Sequence, residues 1–169
     1  WKKELMAKYH LPDDKLTVTY EGVDSRLISS TSDDSILIAR PYVLYVGNLY
    51  PHKNLEVAYQ SIKKLNGKIK LGIVCARSVF ADRAITRIHD LSLESDVNFL
   101  GRVTDSQLKS LYQNALAFVF PSLIEGFGLP GLEAMSLGTP VIAARASCLP
   151  EVYGQAALYF NPHDSCQLA

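Results

Sequence analysis

Six short runs of apolar residues constrain this chain more than anything else in it: residues 43–46, 71–75, 97–100, 116–120, 140–144 and 157–160. Each has the length of a strand, and none alternates strictly between apolar and polar. Continuous apolar runs of this length suit parallel strands covered by helices on both faces. The intervening segments supply those helices. Leu55, Ala58, Tyr59, Ile62 and Leu65 recur at helical spacing, with Asn54 expected as the N-cap and Gly67 just past the end. Ala84, Ile85, Ile88 and Leu91 make one face of a helix over 79–91. Thr104 begins another that runs to Asn114, with Leu108, Leu111 and Tyr112 inward. A helix from Leu129 to Gly138, a short helical turn at 150–153 and a last one at 164–169 complete the alternation. The expected fold is α/β, a doubly wound, Rossmann-like parallel sheet.

Residues 1–12 read as the end of a helix, with Leu5, Met6 and Tyr9 at helical spacing and Pro12 as its stop. Residues 16–20 are β-rich, 21–24 form a turn, and the Ser/Thr/Asp-rich stretch 29–35 reads as a loop. Composition excludes several classes. The 169 residues suffice for one domain with a real core, and 48% hydrophobic with 20% charged is a soluble globular composition. Zero formal net charge gives no bulk attraction to nucleic acid or acidic membrane. No apolar run approaches the roughly 20 residues of a membrane span, and no signal-peptide pattern opens the chain. Cys75, Cys148 and Cys166 are odd in number and far apart, which argues against a disulfide framework or a CxxC metal site. They fit a reducing compartment, and a cytoplasmic location is expected.

Ligands of doubly wound sheets bind beyond the carboxyl ends of the strands. That rule selects the loops 47–54, 75–78, 101–104, 121–129 and 144–149, whose polar residues include Lys53, Arg77, Arg102, Glu125 and Arg145, with Glu133 just beyond. The segment 118–135 is the most informative. It passes from a buried strand through a loop with two glycines into a helix carrying Pro130 and Glu133 in its first turns. A glycine loop feeding a helix N-terminus presents unpaired N–H groups and a positive dipole end to an anion. Glu125 and Glu133 bracket that site and accept hydrogen bonds from hydroxyls, a combination suited to a phosphate that carries a sugar.

These residues resemble the C-terminal, donor-binding domain of retaining GT-B glycosyltransferases of the group 1 type. The landmarks are Tyr45-Val46-Gly47-Asn48-Leu49 with Pro51-His52-Lys53-Asn54-Leu55; Phe99-Leu100-Gly101; Pro121-Ser122 with Glu125-Gly126-Phe127-Gly128-Leu129-Pro130 and Glu133-Ala134, an E-x7-E element; and Gly138-Thr139-Pro140-Val141-Ile142-Ala143 followed by Leu149-Pro150-Glu151-Val152 and Gly154. Tyr20-Glu21-Gly22-Val23-Asp24 is similar to the hinge between the two GT-B domains. The third and fourth landmarks, in order and spacing, are specific. The resemblance implies that residues 1–24 close an N-terminal domain and linker, and that 25–169 form a nucleotide-sugar-binding domain cut before its last helices.

By the same resemblance, Lys53 holds the donor pyrophosphate beside Gly47 and Asn48. Glu125 sits near the transferred sugar, and Glu133 takes the ribose hydroxyls. Gly126, Phe127, Gly128 and Leu129 offer N–H groups to sugar and phosphate, and Arg102 and Val103 meet the base. The family often has Arg or Lys where this chain has Asn48, so either one phosphate-neutralising charge is missing or a neighbour such as Arg77 or His52 replaces it. At Cys75-Ala76-Arg77 the family tends to be glycine-rich. Metal-dependent transferases usually hold their ion on an Asp-x-Asp pair; no two aspartates here stand two apart, and no metal and no cofactor are expected. Partners would be a nucleoside-diphosphate sugar, an acceptor of unknown identity and the N-terminal domain of the same protein, which leaves room for peripheral membrane association through that domain. The isolated domain would bind donor without efficient turnover.

Three other classes share some features. Residues 126–131 spell G-x-G-x-x-G, the fingerprint of a dinucleotide-binding dehydrogenase. Five residues, however, separate Phe120 from Gly126, and the next strand leads to Arg145 rather than an acid. A non-catalytic nucleotide-binding module is the second alternative and a nucleotide-sugar epimerase or glycogen-phosphorylase relative the third. The fold alone excludes neither.

Overall fold

The computed structural model describes residues 1–36 and 38–169. Its centre is a six-stranded, all-parallel sheet: β1 (Tyr42–Val46), β2 (Lys70–Val74), β3 (Val97–Gly101), β4 (Ala117–Phe120), β5 (Val141–Ala144) and β6 (Ala157–Phe160), in the order β3-β2-β1-β4-β5-β6. All six expected runs are strands, and the doubly wound reading holds. The central strands are apolar throughout because both faces are covered: Leu44, Leu71, Ile73 and Phe118 are completely buried.

The helices are α1 (Lys2–Tyr9), α2 (Ser25–Ser29), α3 (Leu55–Leu65), α4 (Val79–Asp90), α5 (Asp105–Asn114), α6 (Leu129–Ser136), α7 (Leu149–Tyr153) and α8 (Ser165–Leu168). They sort into two groups by contact. Helix α3 packs beside α8, and its Glu56 pairs with Arg87 of α4. Helix α5 packs on α2, sends the Tyr112 hydroxyl to α6, and α6 in turn meets Tyr153 of α7. Right-handed crossovers from this strand order put the two groups on opposite faces of the sheet. The strand order therefore reverses between β1 and β4, which pair in parallel through Val43↔Ala117 and Leu44↔Phe118. The loop leaving β1 turns to one face and the loop leaving β4 to the other, which opens a crevice at their carboxyl ends.

Local chemistry explains most boundaries. Thr104 and Gln107 form a complete capping box at the start of α5, and Asn66 and Gly67, both left-handed, end α3. Four expectations need correction. Residues 16–20, for all their β-branched content, form no strand and pair with none of the six strands of the sheet. Asp24 is not simply part of a turn: its carboxylate accepts from the N–H of Arg26 and caps α2. Asn54 precedes α3 as expected but makes no side-chain cap, since its backbone is left-handed (φ 55°) and its amide is engaged elsewhere. Ser29, expected in the loop 29–35, closes α2 instead, and the junction is tied to α5, where the Lys109 ammonium donates to the carbonyls of Ile28 and Ser30 at 2.7 and 2.6 Å.

The glycines at the start of α6 serve packing as well as turning. Gly128 has φ 103°, and a Cβ there would come within 2.5 Å of the Tyr153 hydroxyl and 2.9 Å of Leu149. A Cβ on Gly131 would strike the same ring, whereas Gly126 has open space around it. Gly128→Ala should cost about 2–4 kcal/mol, combining left-handed strain with overpacking, while Gly126→Ala should stay within about 1 kcal/mol of wild type. Urea denaturation of both variants checks this; equal stabilities would contradict it.

Candidate functional site

The crevice between β1 and β4 opens into a cleft of about 1360 Å³. Its floor is Val46, Gly47, Asn48 and Lys53 from the β1 side and Phe120, Glu125 and residues 126–130 from the β4 side. Cys148, Glu151 and Val152 form one wall, and the N-terminal segment, including Trp1 and residues 16–21, forms another.

Lys53 ends a 3₁₀ turn, Pro51–Lys53, that follows β1. Its ammonium sits 2.6 Å from Glu125 Oε1 and 5.8 Å from the centre of the Phe120 ring, and both partners of the pair are nearly buried, with side chains 13% and 10% exposed. Glu125 begins the glycine turn, so the cation is held against it. Among the described residues, no group accepts a hydrogen bond from the N–H of Gly126, Phe127, Gly128 or Leu129. Helix α6 has no side-chain cap, Gly128 being its N-cap. A row of free N–H donors, a helix N-terminus and a lysine thus meet in one concavity, an arrangement that attracts anions.

The other expected residues are placed less uniformly. Gly47 and Asn48 line the cleft; Asn48 spends its carbonyl oxygen on the Tyr45 hydroxyl at 2.6 Å. Arg77, Arg102 and Arg145 do not line it; all three are exposed, and Arg145 lies over the Tyr159 ring at 5.0 Å. None of the three stands beside Asn48 in the lining. Half-buried His52 does not line it either, though its carbonyl accepts from the N–H of Leu123 at 2.8 Å. Val103 is partly buried where β3 leads into α5. Glu133 also lies outside the cleft lining. It leans on α5, where its Oε2 accepts from the Tyr112 hydroxyl at 3.2 Å.

Several contacts were not foreseen from the sequence. The Ser147 hydroxyl, on the loop after β5, accepts from the N–H of Glu125 at 3.2 Å and donates to its carbonyl at 3.1 Å. The Tyr20 hydroxyl donates to Glu151 at 2.8 Å, and its ring lies 5.9 Å from that of Phe127. The Trp1 indole donates to the carbonyl of Glu125 at 3.2 Å. The carboxyl-end rule had selected the loop 144–149; it carried no signal for which residue in it would brace the glycine turn. Among the described residues, no three His, Cys, Asp or Glu side chains gather to hold a metal ion, and no helix is long and apolar enough to cross a membrane.

Burial raises the Glu133 carboxyl above its ordinary 4.5; the Tyr112 hydrogen bond opposes this, and the nearby charges of Asp105 and Asp24 add to it. A carboxyl raised in the folded state favours the neutral acid. Its contribution is fully present below pH 4.5, the ordinary value, and is lost as pH rises through the folded-state value. Glu133→Gln, which keeps an acceptor for Tyr112 without charge, should therefore melt higher than wild type at pH 7, with the gap closing below about pH 4.5. Thermal denaturation against pH reads this; a gap that does not vary with pH would contradict it.

Comparison with known proteins places this geometry. Over 164 residues the chain is 37% identical to the O-antigen chain mannosyltransferase RfbU of Salmonella typhimurium, a match covering 96% of this chain and 45% of the relative. The chain thus spans a little under half the length of that relative. The crystal structure of a glycosyltransferase from Rickettsia africae superposes with a TM-score of 0.86 at 20% identity, over 99% of this chain and 48% of the other, a likeness of fold. Anabaena HepE in complex with UDP and glucose matches with a TM-score of 0.68 at 25% identity, over 76% of this chain and 36% of the other. The profile of the glycosyl transferases group 1 family matches residues 33–169, most of the chain, and the chain belongs to that family.

Proposed function

We propose that this chain is the donor-binding part of a hexosyltransferase, and that its cleft grips the diphosphate of a nucleoside-diphosphate sugar. The observation that carries the reading is the Lys53 ammonium held against the glycine turn, 2.6 Å from Glu125 and beside N–H groups that have no hydrogen-bond partner among the described residues. The relatives support it in kind, one being a mannosyltransferase and one a protein crystallised with UDP and glucose.

In this reading the α- and β-phosphates lie over residues 126–129 and the N-terminus of α6, with Lys53 on the outer oxygens and Gly47 and Asn48 bounding the other side. The nucleoside runs toward α5, where Glu133 takes the ribose hydroxyls and Arg102 and Val103 border the base. Glu125 turns its free oxygen to the sugar. When the anomeric C–O bond breaks, its electron pair goes to the β-phosphate oxygen; the acceptor oxygen forms the new bond to the anomeric carbon on the same face, and its proton passes to the departing β-phosphate oxygen. Negative charge builds on the departing diphosphate, and preorganised donors aimed at that charge lower the barrier. Lys53 and the turn amides are those donors. Glu125 and Glu133 bind hydroxyls here rather than act as the acid and base of a hydrolase. The acceptor is held by a domain N-terminal to this chain, with residues 1–24 leading out of it. The reaction uses no cofactor and no metal in this proposal, and takes place in the cytoplasm.

Isothermal titration with UDP, GDP and the matching monophosphates tests the reading. One diphosphate should bind better than its monophosphate. A charge-assisted hydrogen bond is worth about 1.5–3 kcal/mol, so Lys53→Met should weaken the diphosphate tenfold or more. Glu133→Ala should weaken diphosphate and monophosphate alike, since both carry the ribose. Equal affinity of wild type and Glu133→Ala would remove Glu133 from the ribose role, and no diphosphate binding at all would remove the proposal.

A further inference from the structure

We infer that Asn54 is a positioning residue that sets the distance between Lys53 and the glycine turn, a role that rests on the diphosphate reading of the cleft. Asn54 stands where a helix cap is expected, directly before α3, yet its side chain caps nothing. An Asn N-cap normally accepts from the first turn of its helix through its side-chain oxygen. Here the side chain acts as a donor instead: Nδ2 gives one hydrogen bond to the carbonyl of Pro121 at 3.1 Å and another to the carbonyl of Pro162 at 2.8 Å.

Those carbonyls belong to different loops. Pro121 directly follows β4 and leads to Glu125, and Pro162 lies just beyond β6. One side-chain amide therefore ties together the carboxyl ends of β1, β4 and β6. On the other side of Lys53, the carbonyl of His52 accepts from the N–H of Leu123 at 2.8 Å. Both sequence neighbours of Lys53 are thus bound to both sequence neighbours of Ser122, which is itself completely buried. This double tie fixes the main chain of Lys53 relative to the loop that carries Glu125, and the lysine side chain spans what remains.

The backbone of Asn54 adds a constraint. Its φ of 55° is left-handed, a conformation open to Asn and Gly and unfavourable to most other residues. Asn fits it and also carries two amide hydrogens. Glycine would keep the backbone and lose the tie, so Asn54→Gly removes the proposed function of the side chain without adding strain.

Two measurements on the 169-residue chain test the assignment. The first is the ratio of diphosphate to monophosphate affinity by isothermal titration with the preferred nucleotide. Asn54→Gly should weaken the diphosphate about tenfold and the monophosphate less than about twofold, because only the outer phosphate depends on Lys53. The second needs no nucleotide: in ¹⁵N-lysine-labelled protein, the Lys53 ammonium should give an exchange-protected signal in wild type that is lost in Asn54→Gly while the backbone amide spectrum stays dispersed. An unchanged ratio and an unchanged ammonium signal would overturn the assignment. So would equal losses for both nucleotides, the mark of a purely structural role. Should wild type bind no diphosphate, the proposed function fails, and the ammonium signal alone still decides for or against Asn54. Asn54→Asp, which faces the two carbonyls with acceptors only, is read in the same assays should the glycine variant not fold.

Discussion

The ion pair between Lys53 and Glu125 bridges the point where the strand order reverses, and the shape of the cleft depends on it. One partner follows β1, the other follows β4, and these strands send their loops to opposite faces. Taking two charges nearly out of water is costly, and a pair in that position adds little net stability compared with apolar side chains of the same volume. What the pair does is hold a cation and a carboxylate at a fixed spacing where the fold opens a crevice. Ser147, the Tyr20–Glu151 contact and the Tyr153 hydroxyl under Gly128 hold the glycine turn from the other side.

The electrostatics of the cleft follow from that spacing. Lys53 and Glu125 cancel each other, so beside the glycine turn the positive potential comes from the α6 N-terminus and the amides before it. A diphosphate entering under the proposed reading competes with Glu125 for the lysine. The sugar it carries supplies replacement partners, because hydroxyls donate to a carboxylate. A donor bearing both groups exchanges one pair for two new ones, whereas a diphosphate without a sugar exchanges one pair for one and leaves Glu125 to water. Glu133 stands apart from this exchange, half-buried against Tyr112 on α5 and biased toward its neutral form by burial.

The sheet was legible because it is written in a physical regularity: parallel strands buried on both faces are continuously apolar, and every run but 97–100, which carries Asn98, shows it without a polar break. The helix starts were legible where a side chain caps its own helix, as Thr104 does with Gln107. Residues 16–20 failed as a strand because β-propensity needs a neighbouring edge, and sequence spacing does not report one. Asn54 was misread for a related reason. The same amide that would cap a helix can tie loops more than sixty residues away, and nothing local distinguishes the two. The group 1 motifs brought Lys53, Glu125, Gly47, Asn48 and residues 126–129 to one cleft. They did not bring Arg102 or Glu133 into its lining, since the side-chain direction of a loop arginine and of a second-turn glutamate depends on what packs beside them.

The central claim is that Lys53 and the amides of residues 126–129 form one anion grip. Amide ¹H–¹⁵N spectra recorded while a nucleoside diphosphate is added test it most directly. The account predicts that the largest shifts fall on Gly126, Phe127, Gly128 and Leu129 and move downfield, as amides do on hydrogen bonding to phosphate, and that they shrink in Lys53→Met. Shifts concentrated at the amino ends of the strands, with those four amides unmoved, would contradict it.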